Sequence, residues 1–326
     1  MRIAALVIAP FIAAGCCAAS PARAADVWPT RPIKMVVTYA PGGSADTLGR
    51  MAAQKITDAL HQQVVVENRP GAGGLIGTEF AARAAPDGYT LLVTSATTLV
   101  IGPAINPKNW TVDTFRDLTH IALLGGPATV LVIDTQLKVK NLKEFVVDAK
   151  NTPGSLSYGT AGIGSTGQMV GEMFQKLAGF HMIHVPYKGA SQAVADIMGH
   201  QLPVGSLTLQ TAGEQIRAGA VRPLAITSKQ RPAEFPDLPT FSEEGYPQLT
   251  SSAWFALAGP AGLPADIVQK VNAIVVRGFQ ETDTQKRLRR DAIEFEPYTP
   301  AEFVTFVKSE VERWGPVARE SATQPQ

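Results

Sequence analysis

The sequence is short of cysteine: its 326 residues contain two, Cys16 and Cys17, both close to the N-terminus. If the first 24 residues are removed as a leader, the rest of the chain has no thiol. That composition excludes disulfide bridges, thiolate metal sites and cysteine nucleophiles. A remaining chain of about 300 residues needs its own hydrophobic cores, and at that length one core usually gives way to two.

An excess of either charge is also missing. Lys and Arg number 29, Asp and Glu number 28, and the formal net charge is +1. Both signs are spread along the chain, and no basic stripe indicates a nucleic-acid partner. The most basic stretch, residues 286–290, is typical of a solvated helix face close to a C-terminus.

Long apolar runs are absent except at the start of the chain. A positive residue pair is followed by a nearly all-apolar run over residues 3–19, and residues 22–24 form an A-x-A cleavage site. The run is interrupted by a proline and a glycine, and a membrane-spanning helix needs about 20 apolar residues. This order predicts a secretory signal peptide over residues 1–24 and an exported mature chain that begins at Ala25.

A second cleavage pattern overlaps this segment. Residues 13–16, Ala-Ala-Gly-Cys, resemble a lipoprotein box in which Cys16 carries a lipid at the mature N-terminus. Such boxes usually have leucine three residues before the cysteine, where this chain has Ala13. Cleavage after Ala24 is therefore favoured, and lipid anchoring at Cys16 is the alternative.

Beyond the leader, short β-branched runs alternate with amphipathic helical patterns. Strands are predicted over residues 33–38, 64–66, 89–94, 130–133, 155–159, 181–187, 221–227 and 254–258. Helices are predicted over residues 46–60, 75–85, 142–149, 166–177 and 190–198, and from residue 264. This alternation predicts an α/β fold with doubly wound, parallel sheets and helices on both faces. Residues 231–247 show no clear period and are predicted to form a surface connection.

Two glycine-rich turns, residues 40–46 and 160–167, each join a predicted strand to a predicted helix. In open α/β sheets ligands bind at the carboxyl ends of strands, where helix N-termini offer unpaired N–H groups to anions. The hydroxyls of Ser44, Ser165 and Thr166 can donate to a carboxylate or simply cap the helices. Either turn alone is typical of capping, but two in separate halves indicate an anion held between them. Neither turn contains arginine, so backbone, hydroxyls and water would hold that anion.

Enzyme motifs fit less well. The glycines at 162, 164 and 167 match the dinucleotide fingerprint, but the acid expected about 20 residues further on is missing. Ser165 lacks the preceding glycine of a nucleophile elbow, because Ile163 stands there. The five histidines do not form a metal-ligand pattern. No enzyme activity, cofactor or metal is therefore predicted, and a nucleotide-dependent oxidoreductase is left as the distant alternative.

Five stretches together carry a family resemblance. They are PGGSADTLGR at 41–50, VVVENRPGAGGLIGTEFAARAAPDGYTLL at 64–92, YGTAGIGSTG at 158–167, HVPYKGASQAVADIM at 184–198 and PLAITSKQRPAEFPDLPTFSEEGYP at 223–247. In this order they resemble the Bug family, the periplasmic receptors of tripartite tricarboxylate transporters. The combination of ENRPGAGG, PDGYTLL and VPYKG is specific to that family.

The resemblance implies a type II periplasmic-binding-protein fold, in which two doubly wound α/β lobes enclose a ligand cleft. It divides the chain into a signal peptide, residues 1–24, a first lobe, residues 25–126 and 252–326, and a second lobe, residues 127–251. It also implies a monomer in the periplasm. The function implied is capture of a small di-, tri- or aromatic carboxylate for the permease subunits of a transporter. A receptor that feeds a sensor kinase of a two-component system is the alternative.

The resemblance also implies which residues contact the ligand. The first turn would contribute Tyr39, Ala40, Gly42, Gly43, Ser44 and Asp46. The second turn would contribute Thr160, Ala161, Gly164, Ser165 and Thr166. Ser95, Thr97 and Tyr187 would form the walls of the cleft.

Three positions depart from the family pattern. Thr38 stands where a proline often precedes the aromatic residue of the first turn, and Gln168 stands where the second turn often has histidine. Ser206 and Leu207 stand where a later strand often has phenylalanine followed by a small or acidic residue. With less acid near the cleft, a ligand that carries an ammonium group, such as an amino acid, is disfavoured.

Overall fold

The computed structural model of the chain describes residues 28–290 and 293–322. The predicted signal peptide, its cleavage site and Cys16 lie outside these residues. Within the described ranges, no helix is long and apolar enough to cross a membrane.

The strands form two mixed β-sheets. In chain order they are β1 Ile33–Val37, β2 Val64–Asn68, β3 Thr90–Ser95, β4 Leu118–Pro127, β5 Thr129–Ile133, β6 Ser157–Thr160, β7 Ile183–Pro186, β8 Val204–Thr208, β9 Arg222–Ile226, β10 Phe255–Pro260 and β11 Ile293–Glu294. In the described part of the chain, the first sheet has the order β11-β4-β10-β3-β1-β2 and the second the order β7-β6-β8-β5-β9.

Helices follow most of the strands. In chain order they are α1 Ser44–Leu60, α2 Leu75–Ala82, α3 Gly102–Ile105, α4 Leu142–Asn151, α5 Thr166–Ala178, α6 Ala190–Met198, α7 Leu209–Arg217, α8 Ala265–Gln280, α9 Thr282–Arg290 and α10 Pro300–Ser321. Shorter helical turns cover Ala72–Gly74, Thr97–Ile101 and Pro247–Leu249. Helix α1 shows why these segments fold as they do: Leu48, Ala52 and Ile56, spaced four apart, are fully buried in one apolar cluster with β1.

The prediction of wholly parallel sheets is wrong. β1 pairs in parallel with β2 and β3, and β6 with β7 and β8. β10 instead runs antiparallel to β3 and β4, and β5 runs antiparallel to β8 and β9. The antiparallel strands β5 and β10 are the ones that enter a sheet directly from the other sheet. β4, for example, passes into β5 through the single residue Ala128, without the helical crossover that joins neighbouring parallel strands.

The chain crosses between the sheets twice, and the two crossings lie side by side. The first crossing is at Ala128, and the second lies between β9 and β10. Ala128 and Ser252 form an antiparallel bridge between them. The predicted lobe limits at residues 126 and 252 fall beside these crossings, and as limits of separate lobes they stay a prediction.

The connection over residues 231–247 is only partly a surface segment. Phe241 is fully buried, and its ring centroid lies 5.2 Å from that of Phe174 in α5. Leu238 is also buried. The prediction of a surface connection is wrong for these two side chains, because they complete the apolar clusters of the second sheet.

Helix α10 is hydrogen-bonded to the segment of the second crossing, just before β10. Its N-terminus is closed by a capping box between Thr299 and Glu302. Further along, the buried carboxylate of Glu310 accepts a hydrogen bond of 2.8 Å from Nε1 of Trp254. Arg313 donates a hydrogen bond of 2.7 Å to the carbonyl oxygen of Thr250. The crossing segment before β10 is therefore held in place by one helix.

Candidate functional site

A cavity of about 270 Å³ opens where strands of both sheets end. In the first sheet, Tyr39 follows β1 and Ser95 ends β3; in the second, Ala161 follows β6 and Thr208 ends β8. This is the edge at which α/β sheets bind ligands. The volume lies just below the usual range for small-molecule sites, about 300–1,000 Å³, and so suits a small ligand. We refer to this space as the ligand cavity.

The wall of the ligand cavity is uncharged. Among the residues that the structure describes, no Lys, Arg, Asp, Glu or His lines it. Its polar groups are hydroxyls, from Tyr39, Ser95, Thr97, Ser165, Thr166, Ser206 and Thr208. Its apolar surface comes mainly from Ile163, Leu207, Trp254 and Phe255. Such a wall can hold polar ends by hydrogen bonds and an apolar body by contact.

The N-terminus of α5 forms the second-sheet side of the cavity. Ser165 is the N-cap residue, and its Oγ accepts a hydrogen bond of 3.3 Å from the N–H of Gln168. The side chain of Gln168 in turn accepts one of 2.8 Å from the N–H of Gly164. The N–H groups of Thr166 and Gly167 have no partner inside the helix, because they belong to its first turn.

Gly167 fixes how closely α5 approaches β8. A Cβ atom at this position would collide with the carbonyl oxygen of Ser206. In the native chain, the Ser206 hydroxyl donates a hydrogen bond of 2.7 Å to the carbonyl oxygen of Gly167. The first turn of α5 therefore lies directly on β8, and only glycine permits this contact.

The turn before α1 is held from within. The buried carboxylate of Asp46 accepts hydrogen bonds from the N–H of Gly42 at 3.0 Å, from Arg50 at 2.9 Å and from Asn68 at 2.9 Å. Burial opposes ionisation, but these hydrogen bonds outweigh it and lower the pKa of Asp46. Asp46 thus shapes the turn and has no carboxylate oxygen facing the cavity wall.

One hydrogen bond joins the turn before α1 to the other side of the cavity. The hydroxyl of Ser44 donates to the side-chain oxygen of Gln210, which lies in the first turn of α7. Because Ser44 belongs to the first-sheet side and Gln210 to the second, this contact closes one edge of the gap between the sheets.

The aromatic wall on the first-sheet side is rigidly supported. The hydroxyls of Tyr39 and Ser95 lie 2.5 Å apart. The Tyr39 ring meets Phe255 edge to face, with centroids 5.8 Å apart. Trp254, next to Phe255, is 1% exposed and is held by Glu310. These side chains are positioned before any ligand arrives.

The structure brings together six of the residues that the sequence indicates as ligand contacts. Those on the cavity wall are Tyr39, Ser95, Thr97, Ala161, Ser165 and Thr166. It does not bring Ala40, Gly42, Gly43, Ser44, Asp46, Thr160, Gly164 and Tyr187 to that wall.

Two of the residues away from the wall have other partners. The Thr160 hydroxyl lies 2.9 Å from Nε2 of His184 and accepts a hydrogen bond from the N–H of Gly162. Tyr187 donates a hydrogen bond of 2.6 Å to Asp196, and burial together with that carboxylate raises the pKa of Tyr187 to about 12. The Thr160 side chain therefore supports the second turn, whereas the Tyr187 hydroxyl is bound to α6.

Sequence reasoning missed part of the wall. The residues not indicated as ligand contacts are Gly73, Ala96, Ile163, Gly167, Ala190, Ser206, Leu207, Thr208, Ala253, Trp254 and Phe255. Gly73 and Gly167 carried a readable signal, because both belong to glycine-rich turns before helices. The residues of β8 and β10 reach the cavity through sheet pairing, which no local pattern reports.

Comparison with known protein families shows to which family the chain belongs. A sequence model of the family described as "Tripartite tricarboxylate transporter family receptor" matches residues 48–322. The chain belongs to that receptor family. It is a family of periplasmic solute-binding proteins and not of enzymes, which confirms the prediction against catalysis and excludes the oxidoreductase alternative.

Relatives of this receptor span nearly its whole length. Protein BugT of Bordetella pertussis is 35% identical over 301 residues, which cover 92% of each chain. The R. palustris protein Rpa4515 with adipate superposes with a TM-score of 0.80 at 28% identity, over 90% of this chain and 98% of the other. MatC of Rhodopseudomonas palustris with bound malate gives 0.76 at 30% identity, over 89% and 99%. The predicted periplasmic-binding fold is confirmed by these likenesses.

Proposed function

We propose that this receptor captures a small organic carboxylate in the ligand cavity and presents it to the permease subunits of a tripartite transporter. One observation carries the proposal: an uncharged cavity faces the first turn of α5 on one side and a fixed aromatic wall on the other. Residues 25–126 with 252–326 and residues 127–251 would act as the two lobes, closing on the ligand by a hinge motion.

The N-terminus of α5 is the proposed carboxylate site. The unpartnered N–H groups of Thr166 and Gly167 and the hydroxyl of Ser165 face the cavity side of that turn. A carboxylate there also gains from the helix dipole, which typically contributes about 0.3–1 kcal/mol. No counter-cation is needed for one such end, because the N–H donors are already oriented.

The wall favours a ligand with an apolar body over one with three charges. Trp254 and Phe255 offer apolar surface, and burying several negative charges without a cation beside them is costly. Among di-, tri- and aromatic carboxylates we therefore favour dicarboxylates and aromatic acids. The adipate and malate of the two related structures are dicarboxylates and support this choice.

The first experiment is a calorimetric and thermal-shift screen of the purified chain with adipate, malate, benzoate, citrate and glutamate. A ligand at a hundredfold excess over its dissociation constant adds about 2.7 kcal/mol to the free energy of unfolding. We expect adipate or benzoate to raise Tm most and citrate and glutamate least. Stabilisation by glutamate above all others would contradict the proposed ligand class, and no response to any carboxylate would contradict the receptor role.

The Ser165 hydroxyl provides the sharper test. Ser165→Ala removes both an N-cap and a proposed ligand contact, so we expect about a tenfold loss of affinity for the carboxylate found by the screen. Asn141→Ala is the matched control, because Asn141 caps α4 through a 2.9 Å hydrogen bond from Glu144 and lies outside the cavity wall. Each variant should lose about 1 kcal/mol of stability. Equal affinities for the two variants would return Ser165 to a purely structural role.

Transport is tested in cells. Uptake of the labelled carboxylate should require both this chain and its permease subunits, because the receptor alone moves nothing across the membrane. If uptake persists without the chain while transcription of nearby genes becomes unresponsive to the ligand, the sensor alternative replaces the transport role.

A further inference from the structure

A second cavity, of about 580 Å³, is lined by a different set of residues. The two linings follow each other along the chain at the junction of β8 and α7: Thr208 lines the ligand cavity, and the next residue, Leu209, lines the second one. We call this second cavity the basic pocket, because arginine and lysine side chains form its rim. Its floor and rim come from the second sheet and from the stretch that includes α9.

The floor of the basic pocket is apolar and well buried. Ala128 and Leu209 are each 2% exposed, and Ile226 is fully buried. Phe235, half-buried, adds an aromatic side chain to the same floor. Ala128 belongs to the first crossing between the sheets, so the floor includes part of that crossing.

The rim is cationic. Arg231 lies on one side, and Lys286 and Arg289 of α9 lie with Arg290 on the other. The sequence predicted residues 286–290 as a solvated helix face, and α9 confirms the helix and its exposed side chains. What the sequence did not indicate is that this face borders a cavity.

The cations of the rim are only partly neutralised. Arg231 is already paired with Glu243 at 3.0 Å and donates a hydrogen bond of 3.0 Å to the carbonyl oxygen of Pro236. Within residues 28–290 and 293–322, the Arg289 side chain has no hydrogen bond or ion pair, and the Lys286 ammonium lies 3.4 Å from the exposed carboxylate of Asp283. Two carboxylates also line the pocket, but each has a partner. Glu234 pairs with Arg217 at 3.3 Å, and Glu294 accepts a hydrogen bond from the N–H of Lys229 at 3.3 Å.

We propose that the basic pocket binds an amphipathic carboxylate, with its anionic head at Lys286 and Arg289 and its apolar body on the floor. The volume lies within the range for small-molecule sites, about 300–1,000 Å³. An apolar body stabilises binding in proportion to the area removed from water, and the cations supply charge-assisted hydrogen bonds. A small inorganic anion would use the rim but leave the floor uncovered, so the ligand has both parts.

Octanoate is the probe, and it is titrated calorimetrically into the whole exported chain. Acetate has the same head without the body, and inorganic phosphate tests the rim alone. We expect octanoate to bind more tightly than either. Phosphate or acetate binding as tightly as octanoate would overturn the proposal, because the floor would then contribute nothing.

The deciding variants differ by two positions on one helix. Arg289→Gln removes a rim cation, whereas Arg287→Gln removes an exposed cation of α9 that does not line the pocket. Both keep a similar side chain, and neither breaks an ion pair found in the described residues, so both should fold. We expect Arg289→Gln to weaken octanoate binding about tenfold and Arg287→Gln to leave it unchanged. Equal effects of the two variants would overturn the proposal.

The same variants distinguish octanoate bound in the basic pocket from octanoate bound in the ligand cavity. Ser165→Ala should leave octanoate affinity unchanged, and Arg289→Gln should leave the affinity for adipate unchanged. If Ser165→Ala weakens octanoate as much as Arg289→Gln does, octanoate occupies the ligand cavity and the proposal fails. Failure of the basic pocket leaves the adipate titration unaffected, so it is distinguishable from failure of the proposed receptor function.

Discussion

The ligand cavity and the basic pocket share a junction but are built from opposite materials. The ligand cavity, of about 270 Å³, has hydroxyls, a helix N-terminus and aromatic rings and, among the described residues, no charged side chain on its wall. The basic pocket, of about 580 Å³, combines an apolar floor with a rim of Arg231, Lys286 and Arg289.

The contrast between an uncharged wall and a cationic rim indicates when an anion-binding site needs cationic side chains. A buried N-terminus with fixed N–H donors can hold a carboxylate by itself, because its dipoles are already oriented and poorly screened. A rim open to solvent has no such alignment, and full charges are needed there because water and salt weaken each of them. On these proposals, the same chain would use dipoles where a helix N-terminus forms the wall and full charges where exposed side chains of α9 form the rim.

The largest expected loss of affinity comes from a substitution that disturbs the ligand cavity and leaves the basic pocket intact. Gly167→Ala places a Cβ atom against the carbonyl oxygen of Ser206, so α5 and β8 must move apart. Overpacking of this kind costs about 1–3 kcal/mol, and we expect affinity for the carboxylate to fall about tenfold to a hundredfold. Octanoate binding at the basic pocket should survive, and calorimetry of both ligands measures the contrast.

Gly43→Ala is the control for this variant. Gly43 precedes α1, its backbone is extended, and nothing lies within 4 Å of a Cβ atom placed there. Its affinity for the carboxylate should therefore stay close to that of the native chain. A loss as large as that of Gly167→Ala would mean that the turn before α1 contributes to binding as directly as α5 does.

Asp46, the acid that holds the turn before α1, provides the next test. Asp46→Ala leaves the N–H of Gly42 and the side chain of Asn68 without their acceptor, so we expect a loss of about 1–3 kcal/mol in urea unfolding at neutral pH. Asp58→Ala, at an exposed position of α1, should change stability by less than about 0.5 kcal/mol. A fall in carboxylate affinity with unchanged stability would instead make Asp46 a ligand contact.

The same residue predicts a dependence on pH. The pKa of Asp46 is lower in the folded chain than its ordinary value of 3.8. Its stabilising contribution is therefore complete above that value and is lost as the pH falls through the lower, folded value. The stability difference between native chain and Asp46→Ala should shrink only in that acidic range.

Salt gives the smallest expected effect and sharpens the comparison most directly. Raising the ionic strength from about 0.01 M to about 1 M shortens the screening length from about 30 Å to about 3 Å. Octanoate affinity should fall several-fold, because the rim cations are exposed. Adipate affinity should change less, because the cavity wall carries no cation. Equal salt dependence of the two titrations would show that both ligands are attracted by the same charges.

Sequence patterns describe best the segments in which a strand leads through a glycine-rich turn into an amphipathic helix. The predicted helix over residues 166–177 matches α5 closely because its N-cap, its amphipathic face and its terminal Gly179 are all local signals. Strand β8 was indicated only through the resemblance, because Val-Gly-Ser-Leu-Thr is short and interrupted by glycine and serine, and β5 and β6 hold it on either side. Helix α10 was not among the predicted helices, although Thr299, Pro300 and Glu302 form a recognisable helix start.

The candidate site shows the same limit at the level of single residues. Ser165 and Thr166 were indicated because a glycine turn before a helix is a local motif. Phe255 at the start of β10 and Trp254 just before it reach the cavity from nearly ninety residues further along, because β10 pairs with β3. Asp46 was indicated by its place in the first turn, yet hydrogen bonds to Gly42, Arg50 and Asn68 take up its carboxylate.

The shared junction of β8 and α7 gives the two cavities a thermodynamic relation. Because Thr208 and Leu209 are consecutive, a shift of this junction by one occupant reaches the wall of the other cavity. Linkage makes any such effect reciprocal: the factor by which octanoate changes the affinity for adipate equals the factor by which adipate changes the affinity for octanoate. The receptor would then report on two solutes at once, and its release of one would depend on the supply of the other.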